Sequence, residues 1–243
     1  MSRKSFEKTV EFIRNLEGAR NPAEVCGMLL SSAKQFGAEY VLAGIIPRPG
    51  VGRQQQVSGV VLDHWPQEWS RRYFSHGYIF RDPAITTVRR SSFSFLWSEI
   101  EPLYRSDMTA RRVMDEAGDF KLKQGFTIPL ATLDGDIAGF SIAGEQLEVS
   151  PEERGVLTLL ATYAFGRSIL LREKEQATTI KLTPREREAL QWAAEGKTEW
   201  EIGEQMGISE HGVDKHMRSA REKLGTRTRA HAVAEALRLQ LIK

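Results

Sequence analysis

The feature that most narrows the fold is a succession of helix-start and helix-stop signals between residues 182 and 242. Thr183-Pro184-Arg185-Glu186 places a side-chain acceptor at an N-cap, proline at the first helical position and a glutamate three residues on, the pattern of a capping box. It predicts a helix through Trp192 to about Glu195, ended by Gly196. Thr198 with Glu201 repeats the pattern and opens a short helix through Trp200, Ile202 and Met206 that stops at Gly207. Ser209 caps a third helix, and a fourth is predicted over about Arg229 to Leu241.

In the third helix Val213, Met217, Ala220 and Leu224 recur at spacings of four, three and four, which puts them on one buried face. Asp214, Lys215, Arg218 and Arg221 then face outward together. An apolar back, a cationic front and a three-residue turn, Gly207-Ile208-Ser209, after a preceding helix make a helix-turn-helix. The formal net charge of the chain is only +2, so bulk electrostatics do not announce a nucleic-acid partner. Between Ser209 and Arg229, however, six basic residues (Lys215, Arg218, Arg221, Lys223, Arg227, Arg229) stand against three acidic ones, Glu210, Asp214 and Glu222. Contacts to backbone phosphate supply most of the affinity of such a face.

At 243 residues the chain exceeds the usual single domain, and its texture changes near Arg172. The expected division is 1–171, a charged linker 172–181, and 182–243. In the first part, Glu39 to Ile46, Gln56 to Leu62, Phe126 to Leu133 and Asp136 to Ala143 read as β-rich runs, with Asp134-Gly135 as a hairpin signal. Helical patterns flank them at Phe6 to Leu16, Ala23 to Phe36 and Glu152 to Leu171. The expected class is α+β: an N-terminal α-β-α sandwich with an antiparallel sheet, then an all-α four-helix helix-turn-helix domain. A phosphate-receiving regulator domain would need alternating parallel strands with an acidic cluster, and that alternation is missing.

A single cysteine, Cys26, forbids an internal disulfide, and the five histidines show no metal-ligand spacing with it, so no metal and no cofactor are expected. Met1 to Lys8 carries no apolar run and no stretch approaches a membrane span, so a cytoplasmic setting without a membrane partner is expected. Gly139-Phe140-Ser141-Ile142-Ala143 imitates the nucleophile elbow of hydrolases, which would suggest a hydrolytic enzyme. The elbow needs a strand-to-helix turn after the serine, whereas this segment alternates as a hairpin strand; the histidines after Ser141 all fall in the C-terminal module. No catalytic residue is expected.

Two sets of residues carry a family resemblance. Leu182, Thr183, Arg185, Glu186, Glu188, Leu190, Trp192, Ala194, Gly196, Lys197, Thr198, Glu201, Ile202, Ser209, Val213, His216, Lys223, Leu224, Arg229 and Ala232, in that order, resemble the LuxR-type DNA-binding domain. Trp69, Tyr73, Asp82-Pro83, Trp97 and Gly125, at steps of four, nine, fifteen and twenty-eight residues, resemble the autoinducer-binding domain of LuxR-type quorum-sensing regulators. The resemblance implies a transcription factor that binds an N-acyl-homoserine lactone and, as a homodimer, a two-fold symmetric promoter operator in double-stranded DNA, with RNA polymerase as a further partner. A regulator of the same architecture sensing another small molecule, such as a host metabolite, is the alternative.

By resemblance, Trp69 donates to the lactone carbonyl, Asp82 accepts the ligand amide, Tyr73 donates to the acyl carbonyl, and Trp97 completes the motif. Ser141 can add a hydroxyl, and Phe74, Ile85, Phe126, Tyr78 and Phe140 are candidates to line the acyl pocket. The DNA face implied is His211, Asp214, Lys215, Arg218 and Arg221, with Lys197 and Thr198 from the preceding turn. Glu186 is read as structural, through its capping box. Departures are Gly212, where the family usually has threonine, the acid Asp214 on the DNA face, and Trp65, where many members carry a tyrosine that reaches the acyl group. The bulk of Trp65 leaves a short, branched or aromatic acyl group as open as a long tail. The helix carrying Leu157, Leu160, Ala161, Ala164, Phe165, Ile169 and Leu170 is expected to pack partly on the sheet and partly on a second subunit.

Overall fold

The computed structural model describes residues 3–133 and 135–243. Met1, Ser2 and Asp134, which is half of the expected hairpin signal, lie outside the described residues. Gly135 has φ +83°, the left-handed backbone that favours glycine in such a turn.

Two compact units divide at Leu171/Arg172. The first opens with α1 (Arg3–Glu17) and α2 (Pro22–Ala33), the latter started by Asn21, whose side chain accepts from the Glu24 amide, with Pro22 at the first position. Then come β1 (Tyr40–Ile45), α3 (Arg53–Ser58), β2 (Val60–His64), α4 (Gln67–Ser75) and α5 (Pro83–Val88). They are followed by β3 (Phe95–Leu96), α6 (Trp97–Tyr104), α7 (Met108–Asp119), β4 (Gln124–Ala131), β5 (Ile137–Gly144) and the long α8 (Pro151–Thr179).

The five strands form one antiparallel sheet in the order β2-β1-β5-β4-β3. Because side chains alternate along a strand, each face of the sheet builds its own core. On one face Phe126, Ile128-flanking Phe140 and Ile142 pack with Leu16, Val25 and Leu29 of the first two helices and Leu157, Leu160 and Phe165 of α8. On the other, the aromatics of α4 to α7 gather: Trp69, Tyr73, Phe74, Tyr78, Phe95 and Trp97. Cys26 is buried in the first of these cores, and burial pushes its thiol up to about 11, which keeps it inert.

Two expectations change. The run Gln56 to Leu62, read as strand, begins as helix: Arg53-Gln54-Gln55-Gln56 are good helix formers held between Gly52 and Gly59, and the strand starts only at Val60. Gly59 is required where the two meet, because an added Cβ would stand 2.6 Å from the Ile45 carbonyl oxygen. The second is the end of the helix expected over Glu152 to Leu171, which runs on into the expected linker. Residues 172–179 continue α8 as helix, since Arg172, Glu173, Lys174 and Glu175 favour helix and no glycine or proline interrupts them.

In the second unit α9 (Pro184–Ala194), α10 (Glu199–Met206), α11 (Glu210–Lys223) and α12 (Arg229–Arg238) surround a core of Leu190, Ile202, Val213, Met217, Ala220 and Ala236. Both capping boxes form, Thr183 with Glu186 and Thr198 with Glu201, and Ser209 caps α11. The fourth helix ends at Arg238 instead of Leu241. Gln240 turns to φ +54° and the Leu241 amide donates back to the Ala236 carbonyl, which satisfies the orphan acceptors of the helix end.

Candidate functional site

Helix α4 presents Trp69 and Tyr73 four residues apart on one face, and both are almost completely buried. Trp65, just before the helix, closes the group: its ring stands edge-on to Tyr73 at 5.1 Å between centroids and 6.2 Å from Trp69. The chain then turns through Gly77 and reaches Asp82, the N-cap of α5. Oδ1 of Asp82 accepts from the Ala84 amide at 2.7 Å, while Oδ2 accepts from the Tyr73 hydroxyl at 2.8 Å. One carboxylate therefore starts a helix and points into the aromatic group at once.

Tyr73 was expected to donate to a ligand carbonyl; here its hydroxyl donates to Asp82, the strongest acceptor within reach. Burial pushes the Asp82 carboxyl above its usual range, an effect that Tyr73 and the Ala84 and Ile85 amides partly offset. Burial first, and the neighbouring carboxylate second, raise the Tyr73 hydroxyl well above its ordinary value, so it stays a donor.

Trp97 opens α6 and lays its indole flat over β4. Gly125 makes this possible, because a Cβ there would come within 2.2 Å of the ring. The Trp97 indole N–H donates to Thr127 Oγ1 at 2.9 Å, and that hydroxyl is hydrogen-bonded at 2.8 Å to Ser141 Oγ, its cross-strand neighbour on β5. Thr127 is fully buried and had no signal in the sequence beyond its strand.

These residues enclose a cavity of about 50 Å³ lined by Trp65, Trp69, Tyr73, Phe74, Asp82, Ile85, Trp97 and Ser141, together with Leu42 to Ile45 of β1 and the adjoining Ile46. The structure thus brings together all the expected ligand residues but three, Phe126, Phe140 and Tyr78. Phe126, with Phe140, points to the opposite face of the sheet, because the strand alternation that turns Ser141 toward the cavity turns them away. Tyr78 packs behind Trp69 at 5.9 Å and donates its hydroxyl to Glu116. Among the described residues, three polar atoms of the cavity wall are buried without a partner: Trp65 Nε1, Trp69 Nε1 and Gln56 Oε1. Buried donors and acceptors are costly to leave unmade, so the wall is chemically incomplete.

In the second unit the turn between α10 and α11 is set by Gly207, at φ +66°, and by Gly203, where a Cβ would stand 2.7 Å from the Ile208 carbonyl oxygen. The turn packs directly on the helix before it. His211, Lys215 and Arg218 are exposed along α11, with Asp214 and Arg221 half-buried; Lys197 is half-buried and Thr198 exposed at the start of α10. Asp214 forms an ion pair with Arg218 at 3.5 Å, and the Thr198 hydroxyl is engaged in its capping box with Glu201.

Glu186 does more than cap α9. It is buried, accepts from Ser219 Oγ at 2.7 Å and forms an ion pair with Lys223 at 2.6 Å, so it locks α9 to the far end of α11. Burial alone would raise its carboxyl; the bonds from Lys223, the Thr183 amide and Ser219 win, and bring it down to about 2. Lys223 is thereby taken out of the cationic face counted from sequence.

Two protein families match in the same order. The autoinducer binding domain family matches residues 21–168, and the bacterial regulatory proteins of the luxR family match residues 181–236. The chain belongs to the LuxR family of bacterial transcriptional regulators. It is 34% identical to the transcriptional activator protein BjaR1 of Bradyrhizobium diazoefficiens, over 97% of this chain and 96% of that protein. It is also 34% identical to RpaR of Rhodopseudomonas palustris, a quorum sensing-dependent transcriptional regulator, over 97% of this chain and 95% of the relative. The crystal structure of Escherichia coli SdiA shares the fold across 98% of this chain and 99% of its own, with a TM-score of 0.67 at 20% identity. As a member of this family the chain is a DNA-binding regulator of transcription and not an enzyme, and its first unit takes a small-molecule effector. Among the described residues no helix is long and apolar enough to cross a membrane.

Proposed function

We propose that this LuxR-family regulator is a quorum-sensing transcription factor whose effector is an N-acyl-homoserine lactone, held in the cavity between α4, α5 and the sheet. The observation that carries the reading is the pairing of an unpartnered buried donor, Trp69 Nε1, with a buried acceptor, Asp82, on the same wall. A lactone carbonyl answers the first and an amide N–H the second. Ser141 supplies a hydroxyl on the strand side, held in place by Thr127. Trp65 Nε1 is a third donor suited to the acyl carbonyl that Tyr73, committed to Asp82, leaves unserved. A few placed polar groups in an apolar wall are what a ligand of this size needs.

The output is binding of the exposed face of α11 to a two-fold symmetric operator in promoter DNA by a homodimer, acting in the cytoplasm with RNA polymerase. Doubling a modest cationic face in a dimer offsets its low charge. The domain division 1–171, 172–181 and 182–243 serves this reading, with the charged end of α8 as the connection between sensing and DNA-binding parts.

The test is mass spectrometry of the ligand retained by the full chain expressed beside a panel of lactone synthases. An N-acyl-homoserine lactone recovered at about one per chain is the expected result. Recovery of a different small molecule, or of none from any synthase, overturns the lactone assignment.

A further inference from the structure

Gln56 is 6% exposed and lines the cavity, with its amide Nε2 donating to the Val51 carbonyl at 3.0 Å. That bond fixes the amide plane and leaves Oε1 buried and unpartnered. The residue sits on α3, which leads into the edge strand β2. Asp82 at the start of α5 and Ser141 on β5 line the same cavity.

The donor count is decisive. An N-acyl-homoserine lactone with a plain hydrocarbon acyl group has one N–H and no O–H, and Asp82 takes that N–H. Nothing on such a molecule can satisfy Gln56 Oε1. We propose that Gln56 is a specificity-determining residue that accepts a hydrogen bond from a hydroxyl group carried on the acyl part of the effector. This rests on the lactone reading and narrows it, from any acyl group to a hydroxylated one. A site built to hydrogen-bond a hydroxyl discriminates against the analogue lacking it, because its own polar group is left buried and unpaired.

The experiment measures the affinity of the full chain for matched pairs of N-acyl-homoserine lactones that differ only by one hydroxyl, at the third carbon or at the far end of a straight or aryl acyl group. In the wild type one hydroxylated member is expected to bind at least about tenfold more tightly than its partner. Gln56→Leu should abolish that preference while still binding the unhydroxylated lactone, and Gln56→Glu, which retains an acceptor oxygen, should keep it. Equal affinity of every pair for the wild type means that a water molecule serves Gln56, and overturns the proposal while leaving the lactone reading intact. A preference that survives in Gln56→Leu also overturns it. Failure of both members of every pair to bind overturns the lactone reading and this one together.

Discussion

Asp82 divides its two oxygens between a helix cap and the cavity, which allows the roles to be separated by substitution. Asn is as good an N-cap as Asp, so Asp82→Asn should fold, but its second group becomes a donor facing the Tyr73 hydroxyl and the ligand amide. Loss of a hydrogen bond to a charged group costs roughly 1.5 to 3 kcal/mol, or about 10- to 100-fold in affinity, measurable by titration calorimetry with the retained ligand. Gly125→Ala attacks the opposite wall: its Cβ overlaps the Trp97 indole, and such overpacking should lower stability by about 1 to 3 kcal/mol in denaturant melts. At Glu186 the folded carboxyl lies near 2, below its unfolded value, so its contribution to stability is complete above the usual carboxylate range and is lost as pH falls through that range toward 2. Glu186→Gln should flatten the acid limb of the stability curve of the second unit between about pH 5 and 2. Trp69, Tyr73, Asp82 and Trp97 were legible through their joint spacing, whose last step is explained by the contact of Trp97 with Gly125. Gln56 and Thr127 were not, because nothing local distinguishes a glutamine in a Gln-rich run or a threonine in a strand. Phe126 was misplaced because pocket membership depends on strand parity, which the sequence leaves undetermined until the register is known.

Elements whose ends carry side-chain chemistry were the readable ones. Thr183, Thr198 and Ser209 each cap a helix where the pattern predicts it. Helix α3 was hidden because Val57, Val60 and Val61 give the segment a strand-like composition, and only the two flanking glycines mark where helix stops and strand begins. That residues 172–179 of the expected linker are helical, as the end of α8, could not be seen in the sequence, because exposed charge looks alike in helix and coil. That helix also carries the clearest unspent surface of the first unit. Leu157, Leu160, Ala161, Ala164 and Phe165 are buried against the sheet, while Leu159, Tyr163 and Leu170 stay 37%, 48% and 59% exposed at spacings of four and seven along its outer side. An apolar stripe at helical spacing is suited to self-association through a second copy. Tyr163→Glu with Leu170→Glu should therefore abolish the proposed homodimer in analytical ultracentrifugation, with helical content unchanged, and should weaken operator binding with it.

At the scale of the whole molecule, one chain joins a sensor with an incomplete polar wall to a reader with a modest cationic face. Incompleteness has a thermodynamic consequence. Unpartnered Trp69, Trp65 and Gln56 atoms cost stability that a matching effector restores, and a ligand bound only by the native state adds RT ln(1 + [L]/Kd) to it. The order of the two units could be read from texture and motif, whereas the proposed choice of effector rests on side-chain directions that the fold supplies. The most direct measurement is therefore the melting temperature of the full chain titrated with N-acyl-homoserine lactones of short, branched, long, aryl and hydroxylated acyl groups. At least one member should raise it in a saturable, concentration-dependent way, by a margin that Asp82→Asn sharply reduces. A melting temperature unmoved by every member of the panel would contradict the account.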